Sequence, residues 1–469
     1  MNFSIADYSV VAIYFLLLLV LGIRASVKKQ SQDDFLLAGR KVTLPGFVVT
    51  LVATWYGGIL GVGEYSYTYG ISNWLAFGFP YYVFAFIFAI LLAPRIRKSN
   101  LISIPDQIEA SYGRRAGLLS ALFTFLMVSP APYVLMSGIL ISLILPVPIW
   151  ISMIIALFFS LIYVGIGGYK TLIVTDFLQF ALMFGGFFII LPVAWFTFGG
   201  FEFLQLNLPP AHLEWIPAGT GAGLVVWFFI ASMTLADPGF YQRCYSAKSP
   251  QIARKGILIS IGFWLVFDIC TTLTGLYARA ALPDLAKASL SYPALADQIL
   301  PSVAKGLFFT GMLATVLSTL NGFSFLAAQS LGKDFWMRWK GTPDAESVKV
   351  TRISLLIVAV LSFGIAVYSE MIVNIWYTLG SVVLPALLVP LMMVYFKPDW
   401  VKNLPMAGMM LVTFLVSSGW WVAGLLFPEV FQSLFQLSPF YPGVLVMGGM
   451  LVGFLFKKKQ YMDPGSGSG

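Results

Sequence analysis

Long apolar runs separated by short charged or Pro/Gly-containing segments dominate the chain. Each run is about 20 residues long, which is the length that an α-helix needs to cross the hydrocarbon core of a bilayer. Thirteen such runs are predicted to be membrane-spanning helices, near 4–23, 44–70, 73–94, 116–145, 147–167, 171–197, 220–242, 256–278, 297–331, 350–368, 371–396, 405–427 and 439–456. The pattern therefore predicts an all-α integral membrane protein.

The composition agrees with this prediction and removes several function classes. Hydrophobic residues make up 59% of the 469 residues and charged residues only 10%, whereas soluble domains carry about 25% charged residues. One His (His212) and two Cys (Cys244 and Cys270) are too few for a His/Cys metal cluster or a disulfide framework. The usual nucleotide-binding and hydrolase motifs do not occur in the sequence. We therefore do not expect an enzyme.

Lys and Arg are distributed unevenly between the predicted loops. All but three of the 28 Lys and Arg residues lie in alternate loops, and the exceptions are Arg279, Lys287 and Lys305. Because basic residues concentrate in cytoplasmic loops, we expect a multi-pass protein of the cell membrane with its N-terminus outside and its C-terminus in the cytoplasm. This topology also explains the net charge of +8, so no nucleic-acid partner is expected.

Two predicted spans contain residues that disfavour a regular helix near the middle of the membrane. Gly57-Gly58 lies in the second span and Pro238-Gly239 in the seventh, five spans later. Interrupted helices persist in a bilayer only where they are buried or line a wet cavity, and breaks at matching positions of two halves indicate a transport site. Close helix packing is the alternative interpretation of such glycines. The paired placement favours an inverted repeat of five spans each.

The predicted inverted repeat divides the chain into four parts. Residues 1–43 form a leading helix and a cytoplasmic loop, 44–197 the first repeat, 220–396 the second repeat, and 405–457 two trailing helices. The terminal MDPGSGSG, residues 462–469, is interpreted as an artificial tail. We expect the single chain, in contact with the lipid bilayer, to be the functional unit.

Few ionisable residues are predicted at membrane depth, and each of them needs a protein partner, water or a cation. They are Glu64, Asp176, Asp237 and Asp268. Asp237 lies at the second break and is the strongest candidate for a solute contact. Asp176 follows a predicted cytoplasmic turn and, taken by itself, is more typical of a helix N-cap. Asp268 and Glu64 are interpreted as structural residues.

A group of hydroxyl residues in the ninth span is a candidate cation site. Thr315, Ser318 and Thr319 lie at i, i+3 and i+4, hence on one helical face. A hard monovalent cation needs several oxygen ligands, and the carbonyls of Ala53 and Tyr56, beside the first break, could join these residues. Ser and Thr in membrane helices also hydrogen-bond to their own backbone. The three hydroxyl residues could therefore form a cation site or bond only to their own helix.

Three stretches resemble the sodium:solute symporters, a family that includes sodium–glucose, proline, sialic-acid and choline transporters. The stretches are GGYKTLIVTDFLQFALMFGG (167–186), LSTLNGFSFLAAQSLGKDFW (317–336) and DDFLLAGR (33–40). The likeness extends from about residue 4 to residue 457. It implies a leucine-transporter-type fold, with a five-plus-five inverted repeat and broken helices, and alternating access driven by a sodium gradient.

The resemblance also implies where sodium binds. The family's shared sodium site falls on Ala53, Tyr56, Thr315, Ser318 and Thr319. The family's Thr-Asp aspartate, which handles sodium on the cytoplasmic side, falls on Asp176, and this replaces the N-cap interpretation. A second sodium site of some members needs two hydroxyls where this chain has Asn321 and Gly322. We therefore expect Na⁺ at the shared site and not at the second one.

The resemblance is less specific about the solute. The predicted solute site comprises Trp55, Leu60, Asp237 and Trp376. ATWYGG and NIWYTLGS resemble the choline branch, whose aromatic faces attract quaternary ammonium groups. That branch's tryptophan in the seventh span is Asp237 here, and the tyrosine of the sugar transporters is Gly239. We expect an organic cation or an amine-bearing zwitterion; the alternatives are symport of a sugar, polyol or carboxylate, and an ion channel.

Overall fold

The computed structural model describes residues 1–25, 30–368, 372–396, 404–427 and 438–462. Within these ranges the protein is helical, and the only β-type pairing is an isolated bridge between Val42 and Ala247. The α-helices in chain order are α1 (Ile5–Ala25), α2 (Gln32–Leu37), α3 (Leu44–Ala53), α4 (Ile59–Tyr69), α5 (Trp74–Lys98), α6 (Ile104–Tyr112), α7 (Arg114–Met127), α8 (Ala131–Ile144), α9 (Ile149–Phe198), α10 (Phe201–Asn207), α11 (Gly221–Ile230), α12 (Pro238–Ser246), α13 (Pro250–Ala281), α14 (Ser291–Ile299), α15 (Ala304–Lys340), α16 (Ser347–Tyr368), α17 (Ile372–Phe396), α18 (Met406–Leu426) and α19 (Phe440–Met462).

Eleven helical segments of the described chain are long and apolar enough to cross a membrane. One of them, α9, has 50 residues and would be about 75 Å long if it were straight. Gly168 interrupts α9 with φ 63° and ψ −151°, so its two halves provide two separate spans. A shorter apolar helix, Phe440–Phe454, lies at the last predicted span. The helical segments thus account for all thirteen predicted positions.

The first predicted break is present between α3 and α4. The α-helix ends at Ala53, a 3₁₀ turn covers Tyr56–Gly58, and α4 begins at Ile59. Gly57 is needed because the backbone lies against α15: a Cβ atom at Gly57 would be 2.4 Å from Cβ of Thr319. The break therefore packs directly on the helix that carries the predicted hydroxyl face.

The second predicted break lies between α11 and α12. A 3₁₀ segment, Ala231–Ala236, is followed by Asp237 in an extended conformation, and α12 begins at Pro238. Proline suits the first position of a helix because its missing N–H needs no partner there. The Asp237 side chain caps this helix by accepting the backbone N–H of Phe240 at 3.0 Å.

A third break was not predicted. The sequence predicts one continuous span over 116–145, but α7 ends at Met127 and α8 begins at Ala131. The physical reason is Pro130, which lacks a backbone N–H and whose ring obstructs the preceding helical turn. The predicted fourth span is present, since Arg114–Ile144 is long and apolar enough to cross a membrane, but it contains a break that the sequence analysis did not identify.

Helix α15 occupies the centre of the bundle, since 94% of its most apolar stretch is buried, whereas only 22% of that of α18 is buried. One carboxylate oxygen of Asp7, in α1, accepts the backbone N–H groups of Val303 and Gly306 at 2.9 Å each. These bonds fix the start of α15. The central position of α15 brings its polar face into the protein interior rather than into lipid.

Charged side chains join α6 to the end of α15 on the predicted cytoplasmic side. Asp106 accepts hydrogen bonds from Lys333 and Arg338, each at 2.6 Å, and Arg338 also pairs with Glu109 at 2.5 Å. Burial opposes ionisation, but Lys333 and Arg338 hold the pKa of Asp106 below its usual range. The topology count treats Lys333 and Arg338 as free charges in a loop. In the structure both side chains are paired with Asp106.

Replacing Asp106 with Asn is expected to lower the melting temperature of the purified protein markedly. Removing one partner of a buried ion pair costs about 3–5 kcal/mol, because Lys333 and Arg338 would keep buried charges. The control is Asp297→Asn, which removes a more exposed partner, 31% accessible, from Lys305; exposed pairs contribute about 1 kcal/mol or less. Equal melting temperatures for the two variants would contradict the prediction.

Candidate functional site

The first break and the polar face of α15 meet inside the bundle. Ala53 ends α3, and Tyr56 begins the 3₁₀ turn. The Thr319 hydroxyl donates to the carbonyl of Thr54 at 3.0 Å and to that of Thr315 at 3.2 Å. The first break thus packs against the hydroxyl face of α15. The five predicted sodium ligands are all buried: Ala53, Tyr56, Thr315, Ser318 and Thr319.

Asp176 lies beside this group. Its two carboxylate oxygens accept the hydroxyl of Ser318, at 2.7 Å, and the hydroxyl of Thr50. Asp176 lies eight positions beyond Gly168 within α9, so it does not cap a helix N-terminus at the membrane surface. The Asp176 carboxylate accepts the hydrogen bond that the Ser318 hydroxyl donates, which leaves the lone pairs of that hydroxyl oxygen free for a cation.

The Thr319 hydroxyl is oriented in the same way. Its proton is directed to backbone carbonyls, so its oxygen also has lone pairs available. The break contributes backbone carbonyls that no longer take part in a regular helix. Hydroxyl and carbonyl oxygens next to one carboxylate form a donor set that suits a hard, monovalent cation.

Arg243 connects the two broken helices and was not identified by sequence reasoning. The residue is 4% exposed. Its guanidinium donates to the carbonyl of Thr50 at 2.8 Å, to the hydroxyl of Thr54 at 2.6 Å and to the carbonyl of Gly239 at 2.8 Å. The topology count assigns Arg243 to a cytoplasmic loop. The signal that could have found it is the spacing from Pro238, because a helix starting there carries Arg243 within its second turn.

A cavity of about 220 Å³ adjoins the breaks. Aromatic side chains form much of its wall, and they include Trp55, Tyr56, Phe77, Tyr81, Tyr133, Trp227, Phe240, Phe323 and Phe440. The charged residues in the wall are Asp237, Arg243 and Asp268. The cavity therefore combines aromatic faces with two carboxylates and one guanidinium.

The predicted solute residues differ in how they relate to this cavity. Trp55 lies in the wall, stacked on Trp264 with ring centroids 4.9 Å apart. Asp237 also lies in the wall and is partly exposed. Leu60 is 0% exposed and is not among the lining residues. The side chain of Trp376 lies outside the described residues, although Leu379, in the same helix, lines the cavity.

The breaks, the oxygen-rich group and the aromatic cavity suggest a carrier for an ion and a solute, and comparison with known proteins decides the family. The model of the sodium:solute symporter family matches residues 35–410. The chain belongs to this family. The resemblance drawn from the three sequence stretches is thereby confirmed.

Individual relatives of the symporter agree with this assignment. The High-affinity choline transporter 1 of Drosophila melanogaster is 27% identical over 427 residues, which are 84% of this chain and 67% of the relative. A Sodium/proline symporter of Staphylococcus aureus is 23% identical over 94% of this chain and 90% of its own length. These relatives are transporters rather than enzymes.

A solved structure of another protein has the same fold. The substrate-bound, outward-open state of a Na⁺-coupled sialic acid symporter superposes with a TM-score of 0.78 at 17% identity, and the match covers 96% of this chain and 97% of that chain. The predicted leucine-transporter-type architecture with broken helices is confirmed. At this identity the likeness concerns the fold alone.

Proposed function

We propose that the protein is a sodium-coupled symporter of a small organic solute. Sodium binds to the carbonyls of Ala53, Tyr56 and Thr315 and to the hydroxyls of Ser318 and Thr319, and Asp176 guides its release to the cytoplasm. The observation that carries the proposal is the packing of the first break on Thr319, next to a Ser318 hydroxyl whose proton is already held by Asp176.

Coupling follows from the position of the sodium site next to the cavity. Trp55, in the cavity wall, lies within the break itself. A cation that orders the break also orders Trp55, so sodium and solute stabilise the same closed arrangement and each raises the affinity for the other. The two repeats then move relative to one another and open the site toward the cytoplasm. The distribution of basic residues predicts that the cytoplasmic side is the side on which α6 lies.

The solute is proposed to be a small organic cation or an amine-bearing zwitterion. Aromatic faces attract such groups by about 0.5–2 kcal/mol each, and the wall holds two carboxylates, Asp237 and Asp268, against one guanidinium. The relatives named for choline and proline transport positively charged or zwitterionic solutes, which agrees with this chemistry. A sugar or polyol is the alternative, because Asp237 could accept hydroxyl groups.

Asp237→Asn is expected to weaken the binding of amine-bearing solutes by about tenfold or more, since it removes a charge partner in a partly buried site. Asn is also a good N-cap, so α12 remains intact. Thermal shifts with choline, betaine, proline, glucose and acetate, each in sodium and in potassium buffer, measure this effect because a ligand of the folded state raises the melting temperature.

The control for this screen is Glu64→Gln, which neutralises a partly exposed carboxylate on α4 that does not line the cavity. It should leave every shift unchanged. Stabilisation by glucose alone, with no response to any amine, would contradict the proposed solute class and favour the sugar alternative.

A further inference from the structure

Asp268 is a buried carboxylate to which the proposed function gives no role beyond its charge in the cavity wall. It lies in the middle of α13, is 4% exposed and forms part of the cavity wall. One of its oxygens accepts the hydroxyl of Tyr56 at 2.9 Å, and the other accepts the hydroxyl of Tyr82. A carboxylate at membrane depth is costly, so its partners indicate what it does there.

Tyr56 connects Asp268 to the proposed sodium site. The backbone of Tyr56 lies in the 3₁₀ turn of the first break, where its carbonyl is a proposed sodium ligand. Its hydroxyl donates to the carboxylate of Asp268 and to the carbonyl of Trp264, each at 2.9 Å. Its ring packs edge-on against Phe267, with ring centroids 4.4 Å apart. Sodium and Asp268 therefore bind opposite ends of one residue.

The neighbouring residue extends this connection to the cavity. Trp55 stacks on Trp264, which lies one helical turn before Asp268 on α13. One face of α13 thus contacts two consecutive residues of the break, Trp55 and Tyr56. Both line the cavity, and Tyr56 also carries a proposed sodium ligand. A hydrogen bond to a charged acceptor is stronger than one to a neutral acceptor. The bond to Asp268 is therefore expected to hold the turn Tyr56–Gly58 more strongly than the bond to the Trp264 carbonyl.

We infer that Asp268 is a positioning residue that couples the sodium site to the solute cavity by fixing Tyr56. The inference rests on the proposed function, because it takes the Tyr56 carbonyl as a sodium ligand. When the bond between Asp268 and Tyr56 is lost, the turn of Tyr56–Gly58 is no longer held in its sodium-binding form. Sodium must then order the turn itself, and its affinity falls.

A sodium titration of the purified full chain tests this inference without a known solute. Sodium chloride replaces potassium chloride at constant ionic strength, and the melting temperature reports binding. Tyr56→Phe, Asp268→Leu and the double variant are compared with the natural chain. Each single variant should raise the half-saturating sodium concentration by about tenfold. The double variant should raise it no further than the larger single effect, because all three variants remove the same bond between Tyr56 and Asp268.

Two variants separate positioning from a general loss of structure. Tyr82→Phe removes the other phenol from the same carboxylate and should leave the sodium titration unchanged. Asp268→Asn keeps an acceptor oxygen and should restore part of the sodium affinity lost in Asp268→Leu. The melting temperature of Tyr56→Phe in potassium should stay close to that of the natural chain.

The results distinguish this inference from the function on which it rests. If the natural chain shows no response to sodium, the proposed sodium symport is wrong. If the natural chain responds, but Tyr56→Phe and Asp268→Leu titrate as it does, or their effects multiply in the double variant, the coupling role of Asp268 is wrong.

Discussion

Replacing Ser318 and Thr319 together with Ala is expected to abolish sodium binding and sodium-driven uptake. Both hydroxyls lie on the face of α15 against which the first break packs, and both donate their protons to protein oxygens. We take the contact between one hydroxyl oxygen and the sodium ion to be about as strong as a hydrogen bond to a charged group, which contributes about 1.5–3 kcal/mol to the free energy of binding. Losing two of them weakens sodium binding by about a hundredfold or more.

Binding of radioactive ²²Na⁺ to the purified protein measures this loss, and uptake into proteoliposomes measures its consequence once a solute is identified. The matched control is Thr310→Ala on the same helix, whose hydroxyl donates only to the carbonyl of Gly306 at 2.7 Å. The control should bind sodium as the natural chain does. Undiminished sodium binding in the double variant would refute the assignment of the site.

Gly57→Ala is expected to have an effect of similar size. The new methyl group would lie 2.4–2.5 Å from three side-chain atoms of Thr319, which is far shorter than a van der Waals contact. Because the obstacle includes Cβ of Thr319, rotation of that side chain cannot remove it, and the break must move away from α15. The carbonyls and hydroxyls that form the sodium site would then separate.

Sodium-dependent thermal stabilisation tests this prediction, and the variant should show little or none. Gly185→Ala provides the control, since a Cβ atom there has no neighbour within 4 Å and α9 is helical at that point. A normal sodium response in Gly57→Ala would mean that the close approach of the break to Thr319 is not required for binding.

The features that were predictable from sequence are those with a local cause. Apolar length gives the spans, Gly57-Gly58 and Pro238-Gly239 give two breaks, and helical periodicity places Ser318 and Thr319 on one face. These inferences need only the neighbouring residues. The break at Pro130 had a local signal as well, but the surrounding apolar run concealed it.

The partners of the charged residues were not predictable, because they depend on tertiary contacts. Tyr56 and Asp268 are 212 positions apart, and Arg243 and Thr50 are 193 apart. Counting loop charges treats every Arg and Lys as exposed, whereas Arg243 is buried between the broken helices. Asp268 was interpreted as a structural residue, but its partners Tyr56 and Tyr82 are distant in the sequence, and Tyr56 belongs to the candidate site.

The most direct test of the proposed sodium site is an experimental structure determined in sodium and again in potassium. The account predicts that residues 54–58 are not α-helical, and that in sodium an ion lies between the carbonyls of the break and the hydroxyls of Ser318 and Thr319. A continuous helix through Gly57, or a sodium ion bound away from these two hydroxyls, would contradict it.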